Sequence, residues 1–91
     1  MESDKVHITD PVTEVIKSLG PSDRSLVVGV LSLLEDDTWR DIEKIDFGII
    51  HGEQVWAIAA SRVTVVFVEE SDNTITIILV NMRSRMHPSW L

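Results

Sequence analysis

With 91 residues the chain has room for one small domain, and a domain of this size buries only about 60–65% of its unfolded surface, so its stability margin is thin. A formal net charge of −7 works against a nucleic-acid surface on the body of the protein, because a negative surface repels phosphates over roughly a Debye length of about 8–10 Å. The absence of cysteine removes disulfides and thiolate chemistry and suits a reducing compartment.

Residues 1–91 are therefore expected to form a single domain. Met1 to Asp10 is polar and acidic, unlike a secretory leader, and no apolar run approaches the roughly 20 residues that span a bilayer. The expectation is a cytoplasmic protein with no membrane contact. Val6-His7-Ile8 reads as a short first strand. Asp10-Pro11 then signals a helix start, with Asp as N-cap and Pro at the first helical position. Val12, Val15, Ile16 and Leu19 follow at the spacing of one apolar helical stripe. Gly20-Pro21 ends that helix, and Ser22 caps a second one running to about Leu34. Its apolar residues, Leu26 to Leu34, are too broadly spread for a one-sided surface helix. Gly29 inside it costs about 1 kcal/mol against alanine, so close packing is the expected reason for its presence. Glu35-Asp36-Asp37 opposes the helix dipole and ends the helix.

Thr38 to Lys44 is a polar connector that carries Trp39. Ile45–Ile50 and Gln54–Ala60 read as strands joined through His51-Gly52-Glu53, a hairpin turn containing glycine. Arg62 to Glu70 and Thr74 to Met82 complete the set. The predicted class is α+β: a short N-terminal strand and a two-helix hairpin packed on one face of a twisted antiparallel sheet of three to four strands. No repeat or low-complexity segment interrupts it.

The last two predicted strands are apolar on both faces. Val63, Val65 and Phe67 alternate with Val66 and Val68; Ile75, Ile77 and Leu79 alternate with Ile78 and Val80. An antiparallel sheet covered by helices on one side usually leaves the other side polar. The second face, Val66, Val68, Ile78 and Val80, is thus either a partner-binding surface or part of a deeper core. The partner would be a second copy, another chain or a ligand. Trp39 and Trp90, in polar or terminal segments, are either exposed contact anchors or fold back onto the core.

Basic residues concentrate at the end. Residues 1–80 hold six basic and fifteen acidic side chains, a balance of −9, whereas the last eleven residues hold Arg83 and Arg85 and no acid. Arg83 and Arg85, two apart, share a face of a continuing strand. They are read either as an anion-binding pair or as charges guarding a strand edge. Arg62 joins them across the hairpin or pairs with Glu69, Glu70 or Asp72. His87 is a candidate general acid/base or a solvated tail residue. His7 is read as structural and His51 as a turn residue. No histidine pair or carboxylate pattern has metal-ligand spacing, so no metal is expected, and no phosphate loop, dinucleotide fingerprint or nucleophile motif implies a cofactor.

The order of elements, together with the wording of VHITDPVTEVIKSL, SDRSLVVGVLSLLED, EQVWAIAASRVTVVFVEESDNTITIILV and NMRSR, resembles the RelE/ParE superfamily of bacterial toxin–antitoxin toxins across almost the whole chain. The resemblance implies a cytoplasmic toxin neutralised by a cognate antitoxin that lays a helix or strand across it. In the ribonuclease branch it implies cleavage of messenger RNA on the ribosome by a concave basic sheet face. There, fixed cations stabilise a developing phosphorane and an acid and base move protons. In the ParE branch it implies contact with DNA gyrase. Carried across by position, the family's catalytic arginine near the C-terminus falls on Arg83, with Arg85 beside it and His87 and Trp90 near the terminal histidine or tyrosine. The family's strand arginine falls at Thr64, two residues beyond Arg62, and its earlier basic positions fall near Val55 and Ala57. The resemblance thus yields two expectations: a toxin with Arg83, Arg62, Arg85 and His87 as its catalytic set, or a catalytically inactive relative that binds protein or associates with itself.

Overall fold

A computed structural model describes residues 5–70 and 72–82. Strand β1 (Val6–Ile8) leads through Thr9 into α1 (Asp10–Ser18), and Leu19-Gly20 connects it to α2 (Pro21–Glu35). A 3₁₀ turn (Thr38–Asp41) follows, then β2 (Ile45–Ile50), β3 (Glu53–Ala60), β4 (Val63–Glu69) and β5 (Ile75–Met82). The strands form one sheet in the order β1-β5-β4-β3-β2. Strands β2 to β5 are an antiparallel meander, as their hairpin connections require. The short first strand also joins the sheet, parallel to β5, so the sheet has five strands and is mixed, where three to four antiparallel strands were expected. The two-helix crossover between β1 and β2 is what lets β1 lie parallel to β5 at the far edge from β2.

The helix starts shift by a residue or two from expectation. Thr9, not Asp10, is the N-cap of α1, and its hydroxyl donates 3.1 Å to the carbonyl of Ile77, fastening the helix to β5. Gly20 precedes α2, whose first turn begins at Pro21. Arg24, one turn into α2, donates to the carbonyls of Lys17 and Leu19 at 3.1 and 3.0 Å and so satisfies the open end of α1. The β2–β3 turn is two residues long, with φ of 53° at His51 and 83° at Gly52, the geometry of a twist-matched hairpin turn.

The core lies between the helices and one sheet face. Val12 of α1 and Val27, Val30 and Leu34 of α2 pack on Ile58, Val63, Val65, Phe67, Ile75, Ile77 and Val80. Trp39 belongs to this core. It is 1% exposed, lies edge-on to Phe67 with ring centroids 5.2 Å apart, and is 6.4 Å from the Trp56 ring. That corrects its reading as an exposed anchor. The 3₁₀ turn folds the connector back so that the indole closes the end of the core, with the Arg40 guanidinium 4.4 Å and the Lys44 ammonium 5.3 Å from its ring. Gly29 is also corrected: it is exposed, and a Cβ there would touch nothing within 4 Å.

Candidate contact surface

The strand register divides the sheet into two faces. Trp56, Ile58 and Ala60 of β3 lie opposite Phe67, Val65 and Val63 of β4, and these face the helices. Val55, Ala57 and Ala59 lie opposite Val68, Val66 and Thr64, and these face away. Val55 is 6% exposed and Ala57 fully buried, yet neither belongs to the core beneath the helices; they are the floor of a second apolar cluster on the outer face.

Strand β5 completes that face in an unexpected phase. Val66 pairs with Leu79 but Phe67 pairs with Ile77, so Ile78 is an extra residue, a β-bulge. The bulge sends both Ile78 (43% exposed) and Leu79 (51%) outward and turns Val80 (4%) into the core. Of the predicted partner-facing residues, Val66, Val68 and Ile78 lie on the outer face. Val80 does not, and Leu79 takes its place. At the edge, Ile45 and Ile50 of β2 extend the same face opposite Ala57 and Glu53, and Phe47 at a second bulge is 50% exposed. The apolar character of β2 was legible in the sequence; what was missing was its position at the edge.

The charges lie elsewhere. Among the described residues, no lysine or arginine stands on an outward-facing strand position. The positions where the family resemblance expects cations, Val55, Ala57 and Thr64, share this one face and bring none to it. Arg62 belongs to the β3–β4 turn, and its guanidinium reaches the helix layer instead. It donates to the Asp23 carboxylate at 2.6 Å and to the Ser22 hydroxyl at 3.0 Å. Its acidic partner is thus Asp23, in the first turn of α2, and not Glu69, Glu70 or Asp72 as one expectation had it. Arg40 is held by Glu69 at 2.8 Å, and Glu69 also accepts from the Trp56 indole at 3.2 Å. Lys44 donates to the carbonyls of Trp39, Arg40 and Ile42, ending the 3₁₀ turn. Arg83, Arg85, His87 and Trp90 lie outside the described residues.

Among the described residues the outer face has two acids, both at one end: Glu53 and Glu70, each one residue beyond the terminal ladder pair Gln54–Glu69, with Glu70 accepting from the Thr76 hydroxyl. Asp72 lies in the adjoining turn, where the hydroxyl and backbone N–H of Thr74 hold its carboxyl below the ordinary aspartate value. The other end carries Ala59, Thr64 and Asn81. Chemically this is a surface for mostly apolar contact, with the hydroxyls of Thr64 and Thr76 toward its two ends, and no group of three or more potential metal ligands occurs among the described residues. No described helix is long and apolar enough to cross a membrane. Comparison with family models, characterised proteins and solved structures finds no match to the chain.

Proposed function

We propose that this chain is a RelE/ParE-like toxin-family protein of a toxin–antitoxin system, acting in the cytoplasm through macromolecular contact. The observation that carries the reading is the order strand, helix, helix, four-strand meander, with an outer sheet face left bare and apolar. That is the element order on which the resemblance rests, and the bare face gives an antitoxin segment a place to pack. Arg83 is the residue on which ribosome-dependent cleavage of messenger RNA would turn. The test is inducible expression in a bacterium without the neighbouring gene. Growth arrest that is relieved by co-expressing that gene supports the proposal; unimpaired growth at verified expression removes it.

A second reading is favoured by one specific observation, the missing cations on the outer face. One arginine supplies about 2–4 kcal/mol to a charged transition state, far less than a full cationic cradle. On this reading the protein is a catalytically inactive relative that serves as a binding module. It predicts no messenger RNA cleavage in a translating extract. Cleavage abolished by Arg83→Ala would reject it.

A further inference from the structure

Strand β2 lies at the edge of the sheet with one neighbour, β3. Along its other side, alternate backbone N–H and C=O groups have no strand partner among the described residues. It is the longer of the two edge strands, six residues against three in β1. Lysine and proline are the usual guards of such an edge, and Ile45–Ile50 contains neither. The strand also shows hydrocarbon on both sheet faces. Ile45 and Ile50 extend the outer face, while Ile49, opposite Gln54, lies on the other face, where the helix layer leaves it 66% exposed.

A row of open backbone groups specifies the kind of occupant that fits it, an extended backbone. The surrounding charge narrows the choice. Asp41, Glu43, Asp46 and Glu53 are all exposed, against one lysine and no arginine between residues 41 and 53. That lysine is turned inward: the Lys44 ammonium donates to carbonyls of the 3₁₀ turn and lies against the Trp39 and Trp56 rings. Arg40, just before this stretch, is held by Glu69. The edge thus has acids before Ile45 and beyond Ile50, with Asp46 between them. Two copies that joined β2 to β2 would set acids beside acids whichever way the strands ran, which disfavours a second copy.

We propose that the β2 edge receives an extended strand of another protein, apolar over about six residues and carrying lysine or arginine on both sides of that run. The partner's backbone pairs with the open edge. Its apolar side chains meet Ile45 and Ile50 on one face and Ile49 on the other. Its cations meet Asp41 and Glu43 at one end and Glu53 at the other. The bulge at Phe47 is braced by the Asp46 Oδ1, which accepts at 2.7 Å from both the Gly48 N–H and the Gln54 Nε2. It interrupts the edge, so the added strand pairs over a short run and leaves reversibly. The inference stands whether or not the protein is a toxin.

The test titrates the full chain against a labelled synthetic peptide, three valine–threonine repeats between two lysines at each end, followed by fluorescence anisotropy. Binding with a dissociation constant of about 10–500 µM is expected, and it should weaken severalfold between about 50 and 500 mM salt. The same peptide N-methylated throughout its apolar run, and so unable to donate backbone hydrogen bonds, should not bind. Ile49→Lys should weaken binding at least about tenfold with circular dichroism unchanged. Glu43→Lys and Glu53→Lys together should weaken the lysine peptide and strengthen one flanked by glutamates. Val28→Asp, an exposed position on the helix side, should leave binding as it is. No binding of the lysine peptide overturns the proposal. So does binding that the N-methylated peptide matches, that survives Ile49→Lys, that ignores the charge exchange, or that is lost with Val28→Asp. A chain that dimerises by itself in sedimentation, and loses the dimer with Ile49→Lys, overturns it as well, because the edge then belongs to a second copy. Growth arrest plays no part in these measurements, so they fail or succeed separately from the toxin reading.

Discussion

Replacing Trp39 by alanine removes the largest buried side chain of the core. Its indole is 1% exposed and lies edge-on to Phe67 and Trp56, with two cations over its ring. Truncating a buried aromatic residue to alanine costs about 3–5 kcal/mol. A 91-residue domain has only roughly 5–13 kcal/mol to lose, so Trp39→Ala should bring the protein close to its unfolding threshold. At about 5 °C per kcal/mol for a domain of this size, the melting temperature should fall by about 15–25 °C. Trp39→Phe isolates a second contribution. The Trp39 Nε1 is buried without a hydrogen-bond partner, and such a group costs about 1–3 kcal/mol. Phenylalanine removes that cost while keeping an aromatic ring against Phe67, so its net loss should stay below about 1.5 kcal/mol. Urea unfolding followed by far-ultraviolet circular dichroism measures both, without relying on the fluorescence of the residue being replaced. If Trp39→Ala costs less than about 1 kcal/mol, the indole does not close the core, and its reading as a surface anchor returns.

Three further outcomes follow from other parts of the fold. Gly29→Ala should stabilise the protein by about 0.5–1 kcal/mol in urea titration, because the position is helical and open and only the glycine penalty is removed. Arg62→Ala and Asp23→Ala should each destabilise, and their double-mutant cycle should show a coupling of about 1 kcal/mol, since the pair is partly exposed and solvent screens it. Acid should weaken the fold through three carboxylates held below the ordinary aspartate value: Asp36 by the hydroxyl and N–H of Thr38, Asp37 by the Lys5 ammonium, and Asp72 by Thr74. A depressed folded-state value means their contribution is complete above the ordinary aspartate range and is lost as pH falls through the folded value. The urea midpoint should drop over that interval, and Asp72→Asn should flatten the drop.

The elements were largely legible in the sequence because each is written in a local signal. Pro11 and Pro21 open helices; Gly20 separates them; His51-Gly52 turns a hairpin. What escaped depends on contacts far apart in the chain. Three residues of β1 carry no evidence of which strand they will join, and their parallel pairing with β5 appears only when the two helices return the chain to the sheet. Trp39 sits among charged residues, so composition placed it outside. Its burial follows from Phe67 and Trp56, 28 and 17 residues later, which line the space it fills. Arg62 was read against its own strand, while the group that binds it, Asp23, lies 39 residues earlier on a helix.

The bulge in β5 reaches furthest into function. Ile77-Ile78-Leu79-Val80 is uniformly apolar, so alternation cannot say which residues face the helices, and either phase buries hydrocarbon. In an unbroken ladder the outward residues would be Ile78, Val80 and Met82. With Ile78 as the extra residue they become Ile78, Leu79 and Asn81, while Met82 pairs with Val63 and packs on the core. One inserted residue thus decides both halves of the outer face. It sets two large side chains side by side against Val66 at the centre, and it puts Asn81 outward opposite Thr64 at the rim. On β3 and β4 the outward positions Val55, Ala57, Ala59, Thr64, Val66 and Val68 add apolar or neutral contact and no cation. A face surfaced for hydrocarbon, with no lysine or arginine on its described strand positions, is better suited to holding a protein than to capturing RNA.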